Sequence, residues 1–287
     1  MFKALALCTV TLAGVSQACN AKDMTIQVGG FYSQSDSSID VTDPTIGQNY
    51  RLDFESDLEL AESQFLPTAA FEYRFNDRHS FYLDWKQLHR DAETLAVSRP
   101  FQVQIDDTIY EVKAGGKLAT TLNIDIARIG YGYEFLQGNN YSLGVSLGLH
   151  AMFIDSMFEG TISACTSSQL NNNVCGTQAI PRVVDESVTA PLPDIGLFGS
   201  YEFLPGWKLS GHAQYFQIKV DDIKGSLVDV RAGITADLGD NWQMSVAYNY
   251  YKVDVDVHQT GDNQVKVADY NISYSFIGPM FSVSYRF

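Results

Sequence analysis

From Tyr141 to Phe153 the chain alternates with a period of two. Tyr141, Leu143, Val145, Leu147, Leu149 and Phe153 fall on one face, and Ser142, Gly144, Ser146, Gly148 and His150 on the other. The same division over 242–250 sets Trp242, Met244, Val246, Tyr248 and Tyr250 against Gln243, Ser245, Ala247 and Asn249. Such a period belongs to a strand whose two faces meet unlike surroundings. A soluble sandwich also alternates, because it buries one face of each sheet. Here the second face is small or polar and the aromatic residues gather at one end of each strand, the arrangement of a barrel that faces lipid.

The pattern repeats. "AAFEYRF" (69–75), "IGYGYEF" (129–135), "FGSYEF" (198–203), "GITADL" (233–238) and "FSVSYRF" (281–287) share one cadence, and Phe75, Phe135, Phe203, Leu238 and Phe287 occupy equivalent places in it. The first four lead through short polar turns into new strands that open on Phe81, Tyr141, Trp207 and Trp242, which is hairpin chemistry. Strands are predicted near 24–32, 64–75, 80–90, 121–135, 141–155, 193–203, 207–220, 226–238, 242–255 and 265–287. Lipid cannot satisfy an open sheet edge, so the sheet must close and the last strand must pair with the first. The predicted fold is therefore all-β: a closed antiparallel transmembrane barrel of about ten strands, with twelve or eight as the alternatives. Short turns would face the periplasm. Long acidic connections (33–62, 91–120 and 156–190) would face outward, and "PFQVQI" and "TIYEVKA" form either a hairpin in the second of them or two more spanning strands.

Two breaks interrupt the alternation. Tyr270, Ile272, Tyr274 and Phe276 are even whereas Phe281, Val283, Tyr285 and Phe287 are odd, and Leu122, Ile124 and Ile126 are out of phase with Ile129, Tyr131 and Tyr133. A bulge is the expected cause, at Gly278–Pro279 in the first case.

Residues 1–21 read as a signal peptide, with Lys3, an apolar stretch from Ala4 to about Val15 and small residues at the exit; residues 22–287 form the barrel domain. Losing Lys3 takes the formal charge from -15 to -16. So acidic a chain is not expected to bind nucleic acid. Cys165 and Cys175 flank a polar segment, and in an oxidising compartment a disulfide is expected between them.

Phe281, Val283, Tyr285 and Phe287 resemble the sorting signal that the barrel assembly machinery reads, and with the hairpin cadence they make the chain similar to the outer-membrane β-barrel superfamily of Gram-negative bacteria. "YRFNDRHSFYLDWKQLHRD" and "IGPMFSVSYRF" also resemble, over short stretches, the pore-forming major outer-membrane-protein family. The superfamily resemblance implies location in the outer membrane, contact with its lipid and lipopolysaccharide, and an unidentified surface ligand as a further partner.

Parity places Glu72, Arg74, Asp84, Glu134, Glu202, Asp237 and Arg286 in the lumen near the turns, with Lys86 and Lys208 close by. Arg128, His150, His212, Asp229, Arg231 and Asn249 lie deeper. Such a ring either selects ions or pairs internally to fill a narrow barrel, and at about ten strands the second use is favoured. The expected role is accordingly non-enzymatic: a narrow channel, or a structural or surface-binding protein. The alternative is an outer-membrane hydrolase. Asp256 and His258 in "DVDVH" resemble half of the omptin protease site, but the matching Asp-x-Asp is missing, as is the His-x-Ser-Asn type motif of lipid hydrolases. No cofactor or metal is expected.

Overall fold

The computed structural model describes residues 24–43, 48–95, 101–105, 108–112, 116–166, 180–220, 223–260 and 266–287. Among them are thirteen strands: β1 Met24–Asp43, β2 Gln48–Asp53, β3 Ser63–Arg74, β4 His79–Thr94, β5 Phe101–Ile105, β6 Thr108–Val112, β7 Leu118–Gln137, β8 Tyr141–Thr166, β9 Ile180–Leu204, β10 Trp207–Val220, β11 Ile223–Asp237, β12 Trp242–Thr260 and β13 Lys266–Arg286. Ten of them, β1, β3, β4 and β7 to β13, pair antiparallel around a closed ring, which the β1–β13 and β8–β9 ladders complete. The predicted closure of last strand on first is thus present, and Phe287 N–H donates to the Met24 carbonyl at 2.9 Å. No helix among the described residues is long and apolar enough to cross a membrane. "PFQVQI" and "TIYEVKA" supply β5 and β6, a hairpin paired to the outer end of β8 rather than two staves of the ring.

At the turn end the hairpins are tight. Phe75 N–H bonds the His79 carbonyl, Gly138 N–H that of Tyr141, and Leu238 N–H that of Trp242. Between Leu204 and Trp207 only Pro205 and Gly206 remain, and Gly206 takes a φ of 76° that a side chain would strain. Phe75, Phe135, Tyr141, Phe203, Trp207, Leu238, Trp242 and Phe287 are all exposed here, an aromatic girdle around the rim.

Strands β1, β8 and β9 run far beyond the lengths predicted for them, whereas β3, β10 and β13 match theirs within a residue at each end. β8 has 26 residues, whereas about 9 to 11 tilted residues suffice to cross a bilayer. What changes along each strand is the medium. On β7, Ile129, Tyr131 and Phe135 point outward and are exposed, while Arg128 and Glu134 point inward; farther from the turns, Leu118, Leu122, Ile124 and Ile126 are buried inside and Thr121, Asn123 and Asp125 face out. β13 behaves alike: Phe281 and Val283 face out below, while Tyr274 and Phe276 face in above.

Neither predicted bulge exists. The β4–β7 ladder keeps one register from His79↔Tyr133 to Thr94↔Leu118, and the β12–β13 ladder runs unshifted through Tyr248↔Pro279 and Asn249↔Gly278. The hydrophobic phase inverts while the backbone does not, because inside and outside exchange polarity where the barrel leaves the apolar band. Gly278 is required for a different reason. A Cβ there would stand 2.0 Å from the Tyr32 carbonyl oxygen, so only glycine lets β1 and β13 approach this closely.

Candidate functional site: a layered and occluded lumen

The inward side chains stack in four layers. At the turn end a ring of mixed charge surrounds an open vestibule of about 580 Å³. Arg74 reaches Glu72 at 3.0 Å and Glu134 at 3.1 Å, Gln243 donates to Asp237 at 2.6 Å, and the Glu202 carboxylate accepts the Gly206 N–H at 3.0 Å. Lys208 and Arg286 line the same vestibule.

The second layer crosses the barrel behind the outer edge of the apolar band. Lys86 Nζ lies 3.5 Å from Asp229 and donates to Asn249 Oδ1 at 3.1 Å, and Asn249 Nδ2 donates to Asp229 at 2.7 Å. Arg128 donates to Asp84 at 3.0 Å while its guanidinium sits 4.0 Å above the Tyr82 ring. His212 approaches Asp229 at 3.5 Å, and His150 lies 3.3 Å from Asp194 and 3.4 Å from the Tyr251 hydroxyl. Lys86, His150, Asp194, Asp229 and Asn249 are buried; Lys86, Asp229 and Asn249 satisfy one another, as buried charges require, whereas the Asp194 carboxylate has only the His150 imidazole beside it. Glycines make the room. A Cβ at Gly148 would strike Asp194, and one at Gly144 would strike the Phe198 ring.

Above the charges lies an apolar plug. Phe31, Leu66, Leu88, Ile124, Ile126, Met152, Leu192, Leu227, Val253 and Phe276 are buried across the full section of the barrel. Ten strands leave little width, so large side chains from facing walls meet.

The fourth layer is made by the end of β2 and the chain between β2 and β3, which folds inward. Leu52, Phe54, Leu58 and Leu60 are buried in the same core. Phe54 N–H bonds the Ser37 carbonyl, and Thr94 Oγ1 donates to the Leu58 carbonyl. Glu55 fixes the segment: it accepts the Ser37 N–H at 2.9 Å and the Ser37 hydroxyl at 2.6 Å, and forms an ion pair with Arg90, whose other nitrogen donates to Ser37 Oγ at 2.8 Å. Tyr274, above the band and beside this network, has its phenol pushed up to about 12 by burial and stays neutral.

Every lumenal charge expected from parity is on the inner face: Glu72, Arg74, Asp84, Arg128, Glu134, His150, Glu202, His212, Asp229, Arg231, Asp237 and Arg286. The structure joins His150 to Asp194 and Tyr251, a grouping that parity alone does not single out, although counting by twos from Glu202 reaches Asp194. Glu55 departs from expectation in the other direction, as a loop carboxylate that turns inward to meet a buried arginine. Asp256 lies on the outer face of β12, 3.7 Å from Lys224 and accepting from Asn271 at 2.5 Å, not at the barrel mouth as an omptin-like site requires. The His258 and Cys165 side chains, all of Cys175 and residues 1–21 lie outside the described residues. Asp36, Asp53 and Glu55 bring carboxylate oxygens within 4.8 Å of one another, but Glu55 is already engaged by Arg90.

No protein-family model matches the chain, and no curated protein does. Solved structures do. Outer membrane protease OmpT from Escherichia coli aligns over 93% of this chain and 98% of its own with a TM-score of 0.56 at 12% identity. The chain has the fold of an outer-membrane β-barrel. OprG from Pseudomonas aeruginosa (12% identity, 93% and 97% coverage, TM-score 0.37) and the toluene transporter TbuX from Ralstonia pickettii (12%, 93% and 90%, TM-score 0.37) resemble it more loosely. At these identities the likeness concerns the fold alone.

Proposed function

We propose that this protein is a closed, non-enzymatic barrel of the outer membrane, a rigid pedestal that lifts its connecting loops beyond the lipid surface to bind a partner, and not a conducting pore. One observation carries the reading: the lumen beyond the membrane band is filled by packed apolar side chains and sealed by the inward segment around Leu58. An open channel needs a continuous wet path, and a plug of this kind removes it.

The mixed charges of the second layer support the same reading. Lys86, Arg128 and Arg231 are set among Asp84, Asp194 and Asp229, a set that neutralises itself rather than presenting one sign to passing ions. Hydrolysis of peptide or lipid is disfavoured because Asp256 spends its carboxylate on Lys224 and Asn271 along the outer wall. Purified protein in planar bilayers is expected to be silent, and Arg90→Ala, which frees Glu55 and its segment, to produce openings. Steady wild-type conductance that changes its ion preference in Arg74→Ala or Arg286→Ala would establish the narrow channel instead.

A further inference from the structure

The vestibule does not end at the mouth ring. A second cavity of about 330 Å³ continues inward from it, sharing Gln27, Glu72, Arg74 and Glu134, and stops at Arg128, His212 and Arg231 beneath the plug. The inner end holds donors that protein atoms leave unused: Arg128 Nε and Arg231 Nε are buried without a hydrogen-bond partner, and His212 Nε2 has only the 3.5 Å approach to Asp229. The charges are uneven as well. Asp84 is taken by Arg128 and Asp229 by Lys86, with His212 alongside, while Arg231 has no carboxylate within ion-pair distance among the described residues and only a long 3.5 Å contact to Asn249. The third carboxylate of the layer, Asp194, is set against His150. Arg231, which lines the space, is therefore the cation of this layer that touches no carboxylate among the described residues, whereas Arg128 and Lys86 each reach one.

We propose that this blind cavity is a binding site for a small oxyanion, a phosphate or carboxylate of a few heavy atoms, entering from the turn end that faces the periplasm. A planar guanidinium with free N–H groups matches two oxygens of such an anion, and low-dielectric walls strengthen the pairing. Serine hydroxyls at Ser80, Ser142, Ser146 and Ser210 supply further donors along the way in. The Arg74 bridge to Glu72 and Glu134 spans the entrance, so the site is reached past a paired and electrically quiet rim. The inference rests on the closed-lumen reading only for the direction of entry.

The test is titration calorimetry of the full-length protein in detergent with inorganic phosphate, at fixed ionic strength. Saturable binding of one phosphate per chain is expected, weakened by about tenfold in Arg231→Gln and less in Arg231→Lys. Lys252→Ala, a lysine on the outer wall, should bind as wild type does. Near-ultraviolet circular dichroism confirms that each variant keeps its packed interior, and should Arg231→Gln fail to fold, His212→Gln carries the comparison. Absence of saturable binding in the wild type, or equal affinity in folded Arg231→Gln, overturns the proposal. Phosphate binding that depends on Arg231 in a barrel found to conduct would uphold the site while refuting the closed lumen.

Discussion

Ile126 and Ile129 stand three residues apart on one unbroken strand and face opposite media. Ile126 is 2% exposed inside the barrel, and Ile129 is 46% exposed on its outer wall. Near Ala127 β7 passes from water to lipid: on the turn side of it the strand is apolar outside and polar inside, and on the far side the reverse. Truncation should therefore have unequal costs. Ile126→Ala removes packed core and is expected to cost about 2 to 5 kcal/mol, whereas Ile129→Ala should stay within about 1 kcal/mol, read by denaturant unfolding in lipid vesicles.

Arg90 holds the plug through a buried pair with Glu55. Removing one partner leaves a charge in the core, so Arg90→Ala should lose about 3 to 5 kcal/mol, and Glu55→Gln less because it keeps its shape and one acceptor oxygen for Ser37. The same unfolding assay checks both variants.

Gly278 admits no side chain. With backbone oxygen 2.0 Å from the Cβ position, Gly278→Ala must push β1 away from β13 at the seam that closes the barrel. A fall in the folded fraction on refolding into vesicles is expected, and Gly225→Ala, where the nearest atom is a flexible leucine tip at 3.8 Å, should refold normally.

Asp256 is a surface charge. Its 3.7 Å pair with Lys224 is partly exposed, so Asp256→Ala should shift stability by about 0 to 1 kcal/mol and leave any residual peptide or lipid hydrolysis unchanged. A hydrolytic activity lost in this variant would restore the enzyme reading.

Much of this barrel was legible in the sequence. The aromatic cadence from Phe75 to Phe287 located the turn-end hairpins, and parity put residues as far apart as Arg74 and Arg231 on the inner wall, because a side-chain period of two needs no knowledge of which strands are neighbours. The outer half was less legible. Leu122, Ile124 and Ile126 carry a strand's alternation, but in the opposite phase to Ile129, and phase alone does not distinguish a shifted backbone from a changed surrounding. Alternation places a strand end where outward apolar residues stop, at Tyr32 on β1 for example, although β1 continues to Asp43, with Gln34 and Asp36 exposed outside and Ser33, Ser35 and Ser37 buried inside. Glu55 was hidden for another reason: its acidic neighbours look like any solvated loop, and its partner Arg90 is 35 residues away.

The central claim, that the barrel exchanges inside for outside at one level, is tested most directly by spin labels placed singly at the outward positions of β7. Labels at 129, 131 and 133 should be accessible to oxygen dissolved in lipid, and labels at 121, 123 and 125 to a water-soluble nickel complex, with the crossover near 127. Lipid accessibility continuing through 121, or a phase reversal that shows these three side chains turned into the barrel, would contradict it.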